Sequence, residues 1–161
     1  MPDKPRILVT GATGFVGRHL LPALINKYGK IYVLARKTSN LSLLSGLDIE
    51  VRFGDLLDKP TLRECLKAEK IDVVIHLAAL MSDKDYLSRD EFLKVNVLGI
   101  KNLMEETAGK IKQFIYISTV GVYGYTDELG ASETQPYGDS LSDYEFSKKE
   151  AERAILSFAS R

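Results

Sequence analysis

Three glycines spaced three apart, Gly11, Gly14 and Gly17 in VTGATGFVG, follow directly on the apolar run RILVT (6–10) and open a helical pattern that extends to about Lys27. Placed where a strand becomes a helix, this spacing constrains the chain more than any other feature of it. A glycine at 11 permits a tight turn, and one at 14 lets backbone approach a pyrophosphate. Gly17 lets the helix pack closely on a sheet, while the first free amides of that helix and its positive end face the anion. The junction therefore predicts a phosphate-gripping turn between the first strand and the first helix.

The rest of the chain alternates in the same sense. RILVT, KIYVLA (30–35), IEVRF (49–53), IDVVIHL (71–77) and QFIYIS (113–118) read as strands. All but IEVRF are nearly continuous in apolar character, the mark of parallel strands covered on both faces, and the more mixed IEVRF is expected nearer an edge. Helical patterns separate them: a short turn near Leu41–Ser45, a helix from about Asp58–Pro60 with Leu62, Cys65 and Leu66 on one face, and a longer one from Ser88. SRDE at 88–91 offers a Ser-x-x-Glu capping box, and SDYE at 142–145 offers another for the last helix. Gly109 is a natural left-handed stop for the 88–108 helix. Strands alternating with helices predict a doubly wound α/β fold. The stretch 121–141, rich in Gly, Ser, Asp and Pro, is the long irregular one.

Composition narrows the function classes. At 161 residues and 45% hydrophobic content, about 70% of the unfolded chain's surface can be buried without a metal or disulfide. Twenty-two basic residues balance 22 acidic ones, which argues against nucleic acid or an anionic membrane as the main partner. The single cysteine, Cys65, reads as a small core residue on an amphipathic helix. No apolar run approaches a membrane span, and the expectation is a soluble cytoplasmic chain. His19 and His76 lie too far apart to signal a metal site, and His76, in a strand, reads as a core histidine. Where dinucleotide folds usually carry an acidic residue after the second strand, this sequence has LARK, with Arg36 and Lys37. Guanidinium pairs well with a 2′-phosphate, so NADP is favoured over NAD.

These motifs, in this order, resemble the extended short-chain dehydrogenase/reductase family of NAD-dependent epimerases and dehydratases, over nearly the whole chain. TGATGFVG resembles its cofactor loop, GDLLD (54–58) its adenine-side turn, and HLAA (76–79) its strand end beside the cofactor. KVNVLGIKNL (94–103) resembles its helix with an embedded asparagine, YISTVGVYG (116–124) the strand and loop bearing the active hydroxyl, and YEFSK (144–148) the tyrosine–lysine pair. The resemblance implies a three-layer Rossmann-type parallel sheet. It implies cofactor contacts from Gly11, Thr13, Gly14, Phe15, Val16, Gly17, Arg36, Lys37, Asp55, Leu56, Leu77, Ala78, Ala79, Tyr144 and Lys148. It makes Tyr144 the acid/base, Lys148 its partner, Thr119 the hydroxyl that orients substrate and Asn96 a relay residue, with the neighbouring Ser118 an open alternative to Thr119. Met81 and Tyr123 resemble family positions that line the substrate side, with plain packing the alternative for either. Relatives of this kind continue past residue 161 into a smaller substrate domain, so residues 1–161 are expected to form the dinucleotide-binding portion of a longer enzyme.

The chemistry fits these residue types. Hydride transfer at a carbinol or carbonyl carbon leaves an oxygen that must gain or lose a proton. A free phenol is a poor base at neutral pH, and a nearby ammonium is expected to lower its pKa. Four residues is about one helical turn, so Tyr144 and Lys148 share a face, which Ala151, Ile155 and Phe158 extend inward. Asn96 is expected either to hold a water linked to Lys148 or to brace two strands. Asp83, Lys84 and Asp85 read as a solvated loop. The predicted substrate class is a nucleotide sugar or a related alcohol or ketone. A non-catalytic dinucleotide sensor is the alternative, against which the intact Thr119–Tyr144–Lys148 set argues. An unpaired edge strand and the 88–108 and 142–160 helices predict a homodimer through those helices.

Overall fold

The computed structural model describes residues 4–67, 70–81, 87–125 and 132–159. The loop at Asp83–Asp85 and residues 126–131 of the irregular stretch lie outside them. The chain forms two compact units, one of Met1–Ala79 with Glu105–Ile117, the other of Leu80–Met104 with Ser118–Arg161.

The first unit holds the sheet. Its strands are β1 (Ile7–Thr10), β2 (Ile31–Ala35), β3 (Ile49–Phe53), β4 (Val73–His76) and β5 (Gln113–Tyr116), all parallel in the order β3-β2-β1-β4-β5. Every residue of β1 and β2 is buried, as their unbroken apolar runs require, whereas β3 is mixed and lies at an edge as expected. β5, at the other edge, is only partly buried. The chain leaves β1 for β2 on one side and pairs β1 with β4 on the other. The carboxyl ends of β1 and β4, with Thr10 opposite His76, thus form the switch point at which such sheets bind ligands.

Helix α1 (Phe15–Tyr28) seals one face by burying Leu21 and Leu24 against Ile7, Val9, Ile31 and Val33. Each of those side chains contributes about 1.5–3 kcal/mol of burial. It ends at Gly29, whose φ of +85° no β-carbon would tolerate cheaply. Helix α2 (Lys59–Lys67) buries Leu62 and Cys65, in keeping with the core role expected of the cysteine, and burial pushes the Cys65 thiol up to about 11.

In the second unit, α3 (Arg89–Leu93) starts with the full capping box read from SRDE. The Ser88 side chain accepts from the Glu91 amide, and the Glu91 carboxylate accepts from the Ser88 amide at 2.8 Å. The expected single 88–108 helix is interrupted. A wider turn at Lys94–Leu98, closed by the Gly99 N–H on the Lys94 carbonyl five residues back, separates α3 from α4 (Gly99–Thr107). The stop predicted at Gly109 is present, with φ +67°. The last helix, α5 (Asp143–Ala159), forms only half of its expected box: Ser142 Oγ accepts from the Glu145 amide, but the Glu145 carboxylate turns to the Leu141 amide at 2.7 Å. Among the described residues no helix is long and apolar enough to cross a membrane.

Candidate functional site

The phosphate turn at the β1–α1 junction has the geometry its glycines require. Gly11 adopts φ +70°, and a β-carbon there would lie 2.5 Å from the Ala78 nitrogen and 2.7 Å from the Leu77 carbonyl carbon. At Gly17 a β-carbon would meet Ala12 Cα and O at 2.6 Å. Gly14 donates to the Gly11 carbonyl at 3.0 Å and starts α1 with no side-chain cap and no acidic residue in the first turn. Phe15 and Val16 are exposed on that first turn, and Thr13 is half-buried before it. A helix end with uncapped amides, positive dipole and no competing carboxylate fits a pyrophosphate.

Leu77, Ala78 and Ala79 continue β4 beside this turn. Thr10 Oγ1 accepts from the Ala78 amide at 3.2 Å and lies 2.8 Å from Nδ1 of His76, which is buried as a core histidine, as expected. His19 also has a local role, its Nδ1 2.7 Å from the Phe15 carbonyl. At the neighbouring strand ends, Gly54 donates to the Ala35 carbonyl at 3.0 Å, so Arg36 and Asp55 follow adjacent strands. Arg36 and Lys37 are exposed in a tight turn closed by the Ser39 amide on the Arg36 carbonyl. The Asp55 carboxylate accepts from the Leu57 amide at 2.9 Å and so shapes its own turn, with Leu56 half-buried within it.

The second unit links Asn96 through Ser147 to the backbone of Tyr144. Asn96, only 2% exposed, sits in the wide turn and spends its amide on three partners: Oδ1 accepts from the Leu80 N–H at 2.7 Å, and Nδ2 donates to the Leu80 carbonyl and to Ser147 Oγ. Ser147 Oγ in turn donates to the Tyr144 carbonyl at 2.7 Å. Asn96 therefore braces the segment after β4 to α5, rather than two strands. Sequence reasoning misses Ser147, for which the one available signal is its place three residues after Tyr144 on a helix.

Lys148 is 3% exposed and Tyr144 half-buried, so their shared face does point inward. The Tyr144 ring packs edge-on against Phe92 at 6.5 Å. Burial brings the Lys148 ammonium down to about 8, opposed by the charge of Glu152, and burial raises the Tyr144 phenol. Desolvation thus penalises both charged forms. Thr119 starts a single tight turn, Val120–Tyr123, by accepting from the Gly121 amide at 3.3 Å. The adjacent Ser118 Oγ is buried and unpartnered among the described residues. Tyr123 is half-buried in that turn, while Met81 is 71% exposed.

A parallel sheet of this order, with a glycine turn and an uncapped helix at its switch point, defines a Rossmann-type dinucleotide-binding fold. The chain belongs to the NAD dependent epimerase/dehydratase family, whose profile matches residues 7–161. Sterol demethylase protein B of Methylococcus capsulatus is 33% identical to it over 154 residues, covering 92% of this chain and 45% of that protein. The dTDP-D-glucose 4,6-dehydratase of Dictyostelium discoideum is 40% identical over 129 residues, 74% of this chain and 30% of that protein. The solved structure of MoeE5 in complex with UDP-glucose and NAD matches with a TM-score of 0.79 at 32% identity, over 97% of this chain and 50% of that one. The chain thus spans less than half the length of these two curated relatives.

Proposed function

We propose that this chain binds a nicotinamide dinucleotide and carries the proton-transfer residues of an epimerase- or dehydratase-type oxidoreductase that acts on a nucleotide sugar. The observation that carries the reading is the β1–α1 turn. Gly11 and Gly17 leave no room for a β-carbon, and Gly14 starts α1 with no side-chain cap. Gly11, Thr13, Gly14, Phe15, Val16 and Gly17 would hold the pyrophosphate, Asp55 and Leu56 would flank the adenine, and Leu77, Ala78 and Ala79 would line the crevice. When bound, the nicotinamide supplies hydride exchange at a substrate carbon.

The residues of this chain do the rest. Thr119 hydrogen-bonds the substrate oxygen and fixes its orientation. The Tyr144 phenol, kept protonated by burial, donates its proton to that oxygen in the reducing direction and takes it back in the oxidising one. Lys148 favours the phenolate by its charge while it holds its proton. Asn96 fixes the start of α5 through Ser147, and with it the Tyr144 backbone. The UDP-glucose of MoeE5 and the dTDP-D-glucose of the dehydratase support a nucleotide sugar. The NAD of MoeE5 supports NAD, and Arg36 and Lys37 make NADP the competing cofactor. A second copy docking through the 88–108 and 142–160 helices would cover Leu98 and Leu156, both exposed, and light scattering reads that association.

Calorimetric titration of NAD and NADP into wild-type and Arg36→Ala protein tests the cofactor site. Loss of NADP affinity alone in Arg36→Ala assigns the arginine to a 2′-phosphate. Turnover of UDP-glucose or dTDP-glucose by Tyr144→Phe tests the chemistry. Cofactor affinity should hold and kcat should fall roughly 10²–10⁴-fold, as for loss of a general acid/base. Undiminished turnover in Tyr144→Phe refutes the assignment.

A further inference from the structure

We propose that Lys149 is a positioning residue that ties the turn starting at Thr119 to the helix carrying Tyr144, by gripping Gly138 between them; the proposal deepens the Thr119–Tyr144 reading above and rests on it. Lys149 is 8% exposed, and its Nζ donates to the Gly138 carbonyl at 2.8 Å. The same ammonium lies 5.8 Å from the centre of the Phe146 ring. Burying an ammonium costs its hydration, so a lysine drawn inward is held by the acceptor and ring face it finds there. Five residues place Lys149 about 140° around α5 from Tyr144. It is therefore on another side of the helix from the phenol, and acts on the reaction only through what it holds.

What it holds is a strap between the turn and the helix. Gly138 donates its amide to the Val122 carbonyl at 3.2 Å and offers its own carbonyl to Lys149, so it bonds the turn with one backbone group and α5 with the other. Strap and turn meet main chain to main chain. A β-carbon at Gly138 would lie 2.1 Å from the Tyr123 oxygen, and one at Gly124 would lie 2.6 Å from the Asp139 oxygen. The strap is fastened to α5 on either side of that point, by the Tyr137 hydroxyl on Glu152 Oε2 at 2.8 Å and by the Leu141 amide on Glu145 Oε2 at 2.7 Å. Of the three fastenings, the Lys149 bond is the one made to the residue that bonds the turn. Within the turn, Val122 donates to the Thr119 carbonyl and Gly121 donates to Thr119 Oγ1, both at 3.3 Å. A run of hydrogen bonds thus leads from Lys149 through Gly138 to Thr119. Displacing Gly138 shifts the Thr119 hydroxyl relative to α5, and a misplacement of about 1 Å in a catalytic group costs roughly 100-fold in rate.

Two readouts on the full chain test this. Lys149→Met keeps the apolar stem and removes the donor, whereas Lys149→Arg keeps a donor. Exchange of the Gly138 amide, followed by NMR without substrate or cofactor, should speed up about tenfold in Lys149→Met while the Ala151 amide inside α5 keeps its rate. Lys149→Arg should return Gly138 close to the wild-type rate. With UDP-glucose or dTDP-glucose, kcat should fall roughly 10–100-fold in Lys149→Met, with KM and NAD affinity held within about twofold. Lys149→Arg should regain most of that loss. A lysine that only stabilises the fold would lower Tm and leave kcat per folded molecule unchanged, and that result overturns the proposal. Unchanged Gly138 exchange in Lys149→Met overturns it too, as does a Lys149→Arg variant no better than Lys149→Met in both readouts. If Lys149→Met does not fold, Lys149→Gln, too short to reach the carbonyl, is held to the same limits. Exchange needs no turnover, so the strap and the chemistry fail separately. Undiminished turnover in Tyr144→Phe sinks the acid/base assignment, whereas unchanged Gly138 exchange sinks the role of Lys149.

Discussion

Two helices of this chain begin in opposite ways. α3 begins with every device that satisfies free amides: Ser88 on the Glu91 amide, Glu91 back on the Ser88 amide, and Asp90 and Glu91 set against the positive end of the helix. α1 begins with none of them. Its cap is Gly14, no side chain among the described residues caps it, and its first turn holds Phe15, Val16, Gly17 and Arg18 instead of acids. A side-chain cap contributes about 1 kcal/mol, and a carboxylate near the N-terminus a further 0.3–1 kcal/mol. α1 forgoes both, which leaves its first turn open to the pyrophosphate proposed above.

The largest break in that comparison comes from closing the room at α1. Gly11→Val adds a β-branched side chain where φ is +70° and where backbone of Leu77 and Ala78 already occupies the β-carbon position. Left-handed strain of about 1–2 kcal/mol and overpacking of about 1–3 kcal/mol should together remove several kcal/mol of stability. Thermal unfolding checks this, and a Tm within a degree or two of wild type would mean the turn is looser than its contacts.

The sharper variant makes α1 resemble α3. Gly14 has φ −75°, open to any residue, and among the described residues its β-carbon would meet only the Gly11 carbonyl oxygen, at 3.2 Å. Gly14→Asp therefore supplies a cap and a first-turn charge, and should raise stability by about 0.5 kcal/mol. The same carboxylate occupies the amides and repels a pyrophosphate, so NAD affinity should fall at least tenfold, about 1.4 kcal/mol. Opposite signs for stability and binding are the signature; a variant that gains the first and keeps the second removes the phosphate from this turn.

Both helix starts were legible because each depends on residues within one turn of one another. Gly11, Gly14 and Gly17 carry their geometry in their spacing, and Ser88 and Glu91 theirs in Ser-x-x-Glu. The second such signature, at Ser142 and Glu145, was half right, because the Leu141 amide lies within reach and competes for the carboxylate. The longer-range links to α5 were not legible. Asn96 to Ser147 joins residues 51 apart, and Tyr137 to Glu152 joins residues 15 apart across an irregular stretch. No local period announces such pairs. The state of the Tyr144 phenol escapes sequence reasoning on similar grounds: spacing shows that a lysine is a turn away, whereas burial, which here raises the phenol, is a property of the folded unit.

At α3, Ser88→Ala should cost about 1 kcal/mol and leave NAD affinity within error, since this helix start has nothing to offer an anion. A loss of NAD affinity as large as that of Gly14→Asp would abolish the distinction between the two helix ends.

The smallest effect lies in acid. The Ser88 amide and hydroxyl hold the Glu91 carboxyl below the usual value of 4.5. Because its folded value is depressed, the contribution of this box to stability is fully present above about pH 4.5, the range of an unfolded glutamate, and is lost as pH falls through the lowered folded value. The Gly14 end of α1 has no carboxylate in its first turn and no such dependence. Amide exchange compared at pH 6 and pH 3.5, with rates corrected for intrinsic pH dependence, should show the Ser88 and Glu91 amides losing protection while the amides of the first turn of α1 keep their ratio. Parallel loss at both ends would mean that acid loosens the units as wholes, and that the α3 cap holds no more of the helix than the bare glycine does at α1.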